Sequence, residues 1–371
     1  MRLPDTATVA RRHQAIRRSL DSRNLDALIV TTPANIRYLT SHVGSAGTLV
    51  VTAEALHLIV DFRYEESVRA LQASAAACPT LRTWPVPASY DEALITTLAT
   101  IGAATVGVEA GHLTVARHEW LLNALSARAT GIALRPTERL VERLRLVKDA
   151  FEVAALRGSA ARLAAVGAEA LQAARPGRTE REVAGDIEAA LRRAGYERPA
   201  FDTIVASGPN SALPHARPTA RRLAPADGVV LDFGGVYDGY CVDLTRTLSI
   251  APVSADFRRL FDAVRDAQRA AIAAVRRGAL TSAIDAAART TLEQHGLGEA
   301  FSHGTGHGLG LEVHEGPRIS PTAPAVPLET GMVVTIEPGA YVAGQGGVRI
   351  EDDVLVTDGG CELLTDVPIE L

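Results

Sequence analysis

The feature that most constrains this chain is acid side chains set inside strand-like apolar sequence. Val229-Val230-Leu231-Asp232-Phe233-Gly234-Gly235 and Cys241-Val242-Asp243-Leu244-Thr245-Arg246-Thr247 flank a turn at Tyr237-Asp238-Gly239. In a hairpin, positions symmetric about the turn lie opposite one another on one face, and Asp232 and Asp243 are expected to do so. Thr335-Ile336-Glu337-Pro338-Gly339 and Val348-Arg349-Ile350-Glu351-Asp352-Asp353 repeat the pattern around the Gly344–Gly347 loop, with Glu337 and Glu351 as the symmetric pair. Two like charges held close on apolar strands cannot both ionise cheaply without a cation between them. A fold for this sequence must therefore bring hairpins together around bound positive charge.

Between the acid pairs runs His303-Gly304-Thr305-Gly306-His307-Gly308-Leu309-Gly310-Leu311-Glu312-Val313-His314-Glu315. Its alternating glycines oppose an ordinary helix, so His303 and His307 are not a helical i, i+4 pair. They permit close approach of the backbone to something bound. Four carboxylates and one histidine form a mixed oxygen and nitrogen donor set that suits Mn²⁺, Co²⁺ or Zn²⁺ over thiolate-seeking metals. Carboxylates bridging two such ions make a hydrolytic centre, in which the ions acidify a water and polarise a scissile carbonyl. Each residue taken singly also has an ordinary structural role. Asp232 suits a turn, Glu337 a strand end, His215 a surface loop, and Arg349 an ion pair with Asp352 or Asp353. It is the five segments together that carry the ligand assignment.

Other function classes are disfavoured by composition. Net charge is −5 and no basic block is present, which argues against nucleic acid as a partner. No apolar run is long enough for a membrane helix, and residues 1–20 lack the apolar stretch of a secretory signal. The three widely spaced cysteines, Cys78, Cys241 and Cys361, do not read as a disulfide framework, and a reducing cytoplasm is expected. Cys241 shares a strand face with Asp243 and reads as a small buried hydrophobe. Lys148 is the only lysine.

A length of 371 residues predicts two domains. Residues 1–140 alternate helix and strand and read as an α/β domain, with helix over 9–24, strand over Ala27–Thr31, a hairpin over Thr48–Thr52 and Leu56–Asp61, and helix over Arg63–Gln72. A strand over Ala104–Glu109 and a helix through His118–Leu125 follow. Residues 141–371 read as the catalytic α+β domain. Pro136–Lys148 is expected to begin a long bridging helix that continues through Phe151–Ala174. Thr179 and Glu182 form a capping box for a helix to Ala194, and helices recur over 254–277 and 281–295.

The five segments, in this order, resemble the pita-bread metallopeptidases: Xaa-Pro aminopeptidases, prolidases and methionine aminopeptidases. The resemblance covers roughly 148–371 and implies a C-terminal pita-bread catalytic domain. By similarity, Asp232, Asp243 and Glu351 hold one divalent metal, and Asp243, His307, Glu337 and Glu351 a second, with Mn²⁺ favoured and Co²⁺ or Zn²⁺ also accepted. Glu337 is also implied as a proton relay. His303 and His314 would stabilise the tetrahedral intermediate. His215 matches a prolyl-pocket histidine, and Arg349 an arginine facing the downstream end of the substrate. The long histidine–glycine motif resembles the proline-cleaving branch, so proline-containing peptides are the implied substrates. Asn35-Ile36-Arg37-Tyr38-Leu39-Thr40, Gly44-Ser45-Ala46-Gly47 and Asp61-Phe62-Arg63-Tyr64 resemble the creatinase-like N-terminal domain and lean toward the aminopeptidases. In that group the domain shapes the neighbouring subunit's active site, which implies a homodimer.

The expected function is therefore a dinuclear Xaa-Pro aminopeptidase, with an Xaa-Pro dipeptidase (prolidase) as the alternative. The length of the loops around the prime side separates the two, and it is not visible in the sequence. A metal-free creatinase-like amide hydrolase or a non-catalytic binding protein on the same scaffold would lose ligands, whereas all five are present here.

Overall fold

A computed structural model describes residues 2–128, 130–365 and 367–371 of the chain. The chain divides into two compact units, Arg2–Arg145 and the unit built from Leu146–Leu371.

The first unit runs α1 (Thr6–Asp21), β1 (Ala27–Val30), α2 (Pro33–Thr40), β2 (Thr48–Thr52), β3 (Leu56–Val60) and α3 (Phe62–Gln72). It continues with β4 (Leu81–Pro85), α4 (Tyr90–Ile101), β5 (Thr105–Glu109), α5 (Val115–Ala127), β6 (Ala133–Thr137) and α6 (Leu140–Arg145). Its sheet has the order β4-β3-β2-β1-β5-β6. The β1/β2 and β2/β3 pairs are antiparallel, and β3/β4, β1/β5 and β5/β6 are parallel. The parallel pairs require helical crossovers, and strands so covered are apolar on both sides. Accordingly β1, β2 and β3 are buried along their whole lengths.

The second unit begins with α7 (Ala150–Ala173) and α8 (Glu180–Arg193), then β7 (Arg198–Pro199), β8 (Ile204–Ser207), β9 (Gly228–Tyr237) and β10 (Tyr240–Ser249). Helices α9 (Ala255–Ala274) and α10 (Thr281–Gln294) follow. The chain ends in β11 (Gly306–Gly308), β12 (Glu315–Ile319), β13 (Val333–Ile336), β14 (Gly339–Val342), β15 (Gly346–Arg349), β16 (Asp352–Thr357) and β17 (Gly360–Leu363). Every strand pairing in this unit is antiparallel. One sheet is built on β9, which pairs with β10, β7 and β8; a second has the order β12-β11-β13-β16-β17; and β14/β15 form a ribbon. The bridge Thr245↔Glu351 joins β10 to the junction of β15 and β16. Helix α7 packs on β9 and β10, while α9 packs on α10 and on the strands from β13 to β15. This is the helix-covered antiparallel sheet expected of the pita-bread fold.

Local sequence explains the helix starts. Thr179 accepts from the Glu182 N–H and Glu182 returns the bond, completing the expected capping box of α8. The expected bridging helix is instead two helices. Between α6 and α7 the Lys148 N–H donates to Gly331 O, and Asp149 N-caps α7 with its own capping box from Glu152. The apolar period runs on through this point, but a capping acceptor starts a new helix there.

The glycines of the 304–310 segment let strands pack closely. A Cβ on Gly306 would lie 1.9 Å from Thr335 O, and one on Gly308 would lie 1.8 Å from Gly316 O. At these two positions the close approach is to neighbouring strand backbone.

Candidate metal centre

The hairpin of β9 and β10 turns at Asp238 and Gly239, with Tyr237 opposite Tyr240. In that register Asp232 faces Thr245, and Asp243 faces Gly234. The two aspartates are thus diagonal neighbours on one face, not directly opposed, because the tight turn is centred one step later than sequence symmetry implied. The second acid pair does match across its loop. Ile336 faces Asp352 on one side and Gly339 faces Arg349 on the other, and Glu337 and Glu351 fill the matching positions between.

His307 comes from the middle of β11, between β12 and β13. Donor atoms of Asp243, His307 and Glu351 all lie within 4.8 Å of one another, and all three residues are buried. Glu337 Oε1 is 3.3 Å from His307 Nε2. His307 Nδ1 lies 3.0 Å from Gly308 O, to which it donates, so Nε2 presents a lone pair to the carboxylates. Burial pushes the His307 imidazole down to about 3, so the ring is neutral and the contact with Glu337 is not an ion pair.

Burial pushes the Asp243 and Glu351 carboxyls well above the usual range, and repulsion among the acids adds to it. Burial likewise takes Glu337 up to about 7, with Arg349 opposing the shift and Asp232 adding to it. Among the described residues, Asp232 Oδ1, Asp243 Oδ1 and Glu351 Oε1 are buried without a hydrogen-bond partner. Unsatisfied carboxylate oxygens and an imidazole lone pair converging on one space are what a bound divalent cation would satisfy. The residues present therefore fit the metal that the resemblance implies.

The remaining groups hold this cluster in shape. Thr245 Oγ1 donates to Glu351 Oε2 at 2.6 Å. Arg246 is buried, donates to Glu351 O at 2.6 Å and pairs with Asp352 at 2.7 Å. Asp353 accepts from the Asp243 N–H at 3.0 Å. Arg349 pairs with Asp232, not with Asp352 or Asp353, and donates to Tyr341 Oη at 2.7 Å. His303 donates from Nδ1 to Gly304 O at 2.8 Å, leaving Nε2 to accept from Tyr341 Oη at 3.0 Å. The His303 imidazole is pushed down to about 4, chiefly by burial. His314 stacks edge-on against His307, with ring centroids 4.4 Å apart.

A cavity of about 760 Å³ is lined by Asp232, Asp243, His303, His307, His314, Glu337, Arg349, Glu351 and His215. All nine residues proposed from sequence thus share one wall system. Cys241 is buried with its thiol pushed up to about 12, and it does not line the cavity. Four residues of the site were missed. Tyr341, Thr245 and Asp353 are ordinary strand residues whose role depends on register between distant strands. Arg318, exposed on β12, lines the cavity beside the histidines. Its clue was position alone, four residues after His314.

Comparison with known proteins agrees with this geometry. Residues 154–358 match the family described as Metallopeptidase family M24, and residues 12–147 match the Creatinase/Prolidase N-terminal domain. The chain is 32% identical over 354 residues to the Xaa-Pro dipeptidase of Pyrococcus furiosus, covering 95% of this chain and 97% of that protein. The structure of an Xaa-Pro dipeptidase from Bacillus anthracis superposes with a TM-score of 0.92 at 33% identity, covering 98% of this chain and 99% of that one. An X-Pro aminopeptidase from Thermotoga maritima superposes at 0.85 with 31% identity, covering 95% and 99%.

Proposed function

The chain belongs to metallopeptidase family M24, and from that premise we propose that it is an Xaa-Pro dipeptidase that hydrolyses the bond before a C-terminal proline. The observation that carries the choice is Arg318. It lines the cavity and makes no ion pair among the described residues, whereas Arg349 is engaged by Asp232 and Tyr341. A dipeptide places its terminal carboxylate one residue beyond the scissile bond, and an exposed guanidinium in the wall suits that anion. The two dipeptidases named above support the same choice over the aminopeptidase expectation.

In this reading Asp232, Asp243, His307, Glu337 and Glu351 hold two divalent ions, with Mn²⁺ the first choice. Bound there, the ions supply Lewis-acid activation of a water and of the scissile carbonyl. Glu337 takes a proton from the attacking water and delivers it to the prolyl nitrogen, which has no N–H of its own and must be protonated to leave. The C–O bond forms first, giving a tetrahedral adduct, and the C–N bond breaks as that adduct collapses and the prolyl nitrogen takes the proton. Neutral His314 donates to the carbonyl oxygen as charge develops on it. His303, fixed by Tyr341, and His215 line the prolyl ring. The free thiols Cys78, Cys241 and Cys361 suit a reducing cytoplasm. A homodimer is carried over from the resemblance.

The test is Mn²⁺-loaded protein with Ala-Pro and Ala-Pro-Ala. The expected result is cleavage of the dipeptide only, with Arg318→Met raising KM for Ala-Pro by about tenfold or more, in line with the loss of one charge-assisted contact. Equal cleavage of the tripeptide would make the protein an aminopeptidase.

A further inference from the structure

The segment that carries His303 and His307 has glycine at 304, 306 and 308, so its own side chains do little to fix its path. It is fastened from outside, by helix α10. Asp285, 2% exposed, accepts from both the N–H and the Oγ1 of Thr305, at 3.2 and 2.9 Å. Arg289, one turn later, pairs with Asp285 at 3.1 Å and donates to Phe301 O and His303 O, each at 3.0 Å. Its guanidinium also lies 4.3 Å from the centre of the Phe301 ring. Thr305 O in turn accepts from the Glu337 N–H at 2.8 Å. Neither Asp285 nor Arg289 lines the cavity.

We infer that Asp285 and Arg289 are positioning residues that hold His303, His307 and Glu337 in register from behind, through Thr305. The inference rests on the metal reading of His307 and Glu337. Asp285 grips Thr305, whose two sides set the histidine segment and the acid that follows β13. Arg289 closes the segment on the other side of His303. Removing the carboxylate frees a glycine-rich backbone to move, and ligand atoms displaced by a fraction of an ångström bind metal less well.

The experiment is Co²⁺ titration of metal-stripped protein, followed by calorimetry and by the visible absorption of the bound ion. Leu292→Ala, a fully buried core change on the same helix, controls for loss of stability alone. Asp285→Ala is expected to weaken Co²⁺ binding by about tenfold to a hundredfold, as loss of an outer partner of a metal site does, and to alter the visible bands. Asp285→Asn keeps an acceptor for Thr305 and should recover most of the affinity. Leu292→Ala should melt earlier and yet bind within about twofold of the parent, since helix packing is not ligand placement. Should Asp285→Ala fail to fold, Thr305→Val removes the same side-chain bond and is expected to weaken binding in the same direction. Parent-like Co²⁺ affinity in Asp285→Ala or Thr305→Val, or an equal loss in Leu292→Ala, would overturn the inference while leaving the metal reading intact. A parent protein that binds no Co²⁺ would overturn both.

Discussion

Asp243 shows how a single side chain can oppose folding in one state and support it in another. It is buried, its carboxyl is pushed upward by burial and by Glu351 and Asp232, and one oxygen has no partner among the described residues. Asp243→Asn keeps the shape and removes one of the clustered charges. The metal-stripped variant should therefore melt higher than the stripped parent, by roughly 2–4 °C for about 1 kcal/mol of relieved repulsion. Its melting temperature should respond little to Mn²⁺, while that of the parent rises. A variant that keeps the parent's Mn²⁺ response would remove Asp243 from the ligand set. Residues such as Asp243 and Glu351 were legible because a charge in an apolar strand is costly unless something compensates it. Tyr341 and Thr245 were not, because a tyrosine or threonine in a strand costs nothing and so signals nothing. Only the register of β14 against β15, and of β10 against Glu351, gives them a role.

The glycines divide the secondary elements into those that need an absent side chain and those that merely tolerate it. Gly308 in β11 leaves no room, since a Cβ there would meet Gly316 O at 1.8 Å. Gly158 and Gly185 lie on exposed faces of α7 and α8, where an added Cβ would meet nothing within 4 Å. Gly308→Ala must push β11 from β12 and should cost about 3 kcal/mol, lowering the melting temperature by roughly 6–12 °C. Gly158→Ala and Gly185→Ala should each raise stability by about 0.5–1 kcal/mol through helix propensity alone. Calorimetry of the three variants checks this, and a Gly308→Ala melt within about 2 °C of the parent, the shift expected from under 1 kcal/mol, would refute the strand approach described. Helices were legible where a cap announced them, as at Thr179 and Glu182. The α6–α7 break was hidden because Asp149 and Glu152 sit inside an unbroken apolar period, and the bond that ends the run is donated by the Lys148 N–H to Gly331 O, far along the chain.

The division between Arg2–Arg145 and the unit built from Leu146–Leu371 falls near the shift from β/α alternation to acid-bearing hairpins. What sequence could not supply is how differently the two units answer to their surroundings. The second unit gathers buried acids that call for cations. The first buries three histidines, His13, His42 and His57, each pushed below its ordinary value chiefly by burial. In the fold they take up a proton less readily, whereas in the unfolded chain each does so near pH ~6.5. As pH falls toward and below that value the unfolded state binds more protons than the fold, so stability is full about a unit above pH ~6.5 and declines as pH falls through it. The prediction is that the first unit becomes easier to unfold between about pH 7.5 and 5.5. It can be followed by fluorescence, because both tryptophans of the chain, Trp84 and Trp120, lie within Arg2–Arg145, and the midpoint is read in place of the intensity because Trp84 Nε1 donates to His57 Nδ1 at 3.0 Å. The urea midpoint of tryptophan fluorescence should fall on acidification, and it should fall less in a variant with His13, His42 and His57 all replaced by glutamine. A midpoint that is unchanged at about pH 5.5, or one that falls equally in the triple variant, would mean that the acid sensitivity of the unit lies elsewhere than in its buried imidazoles.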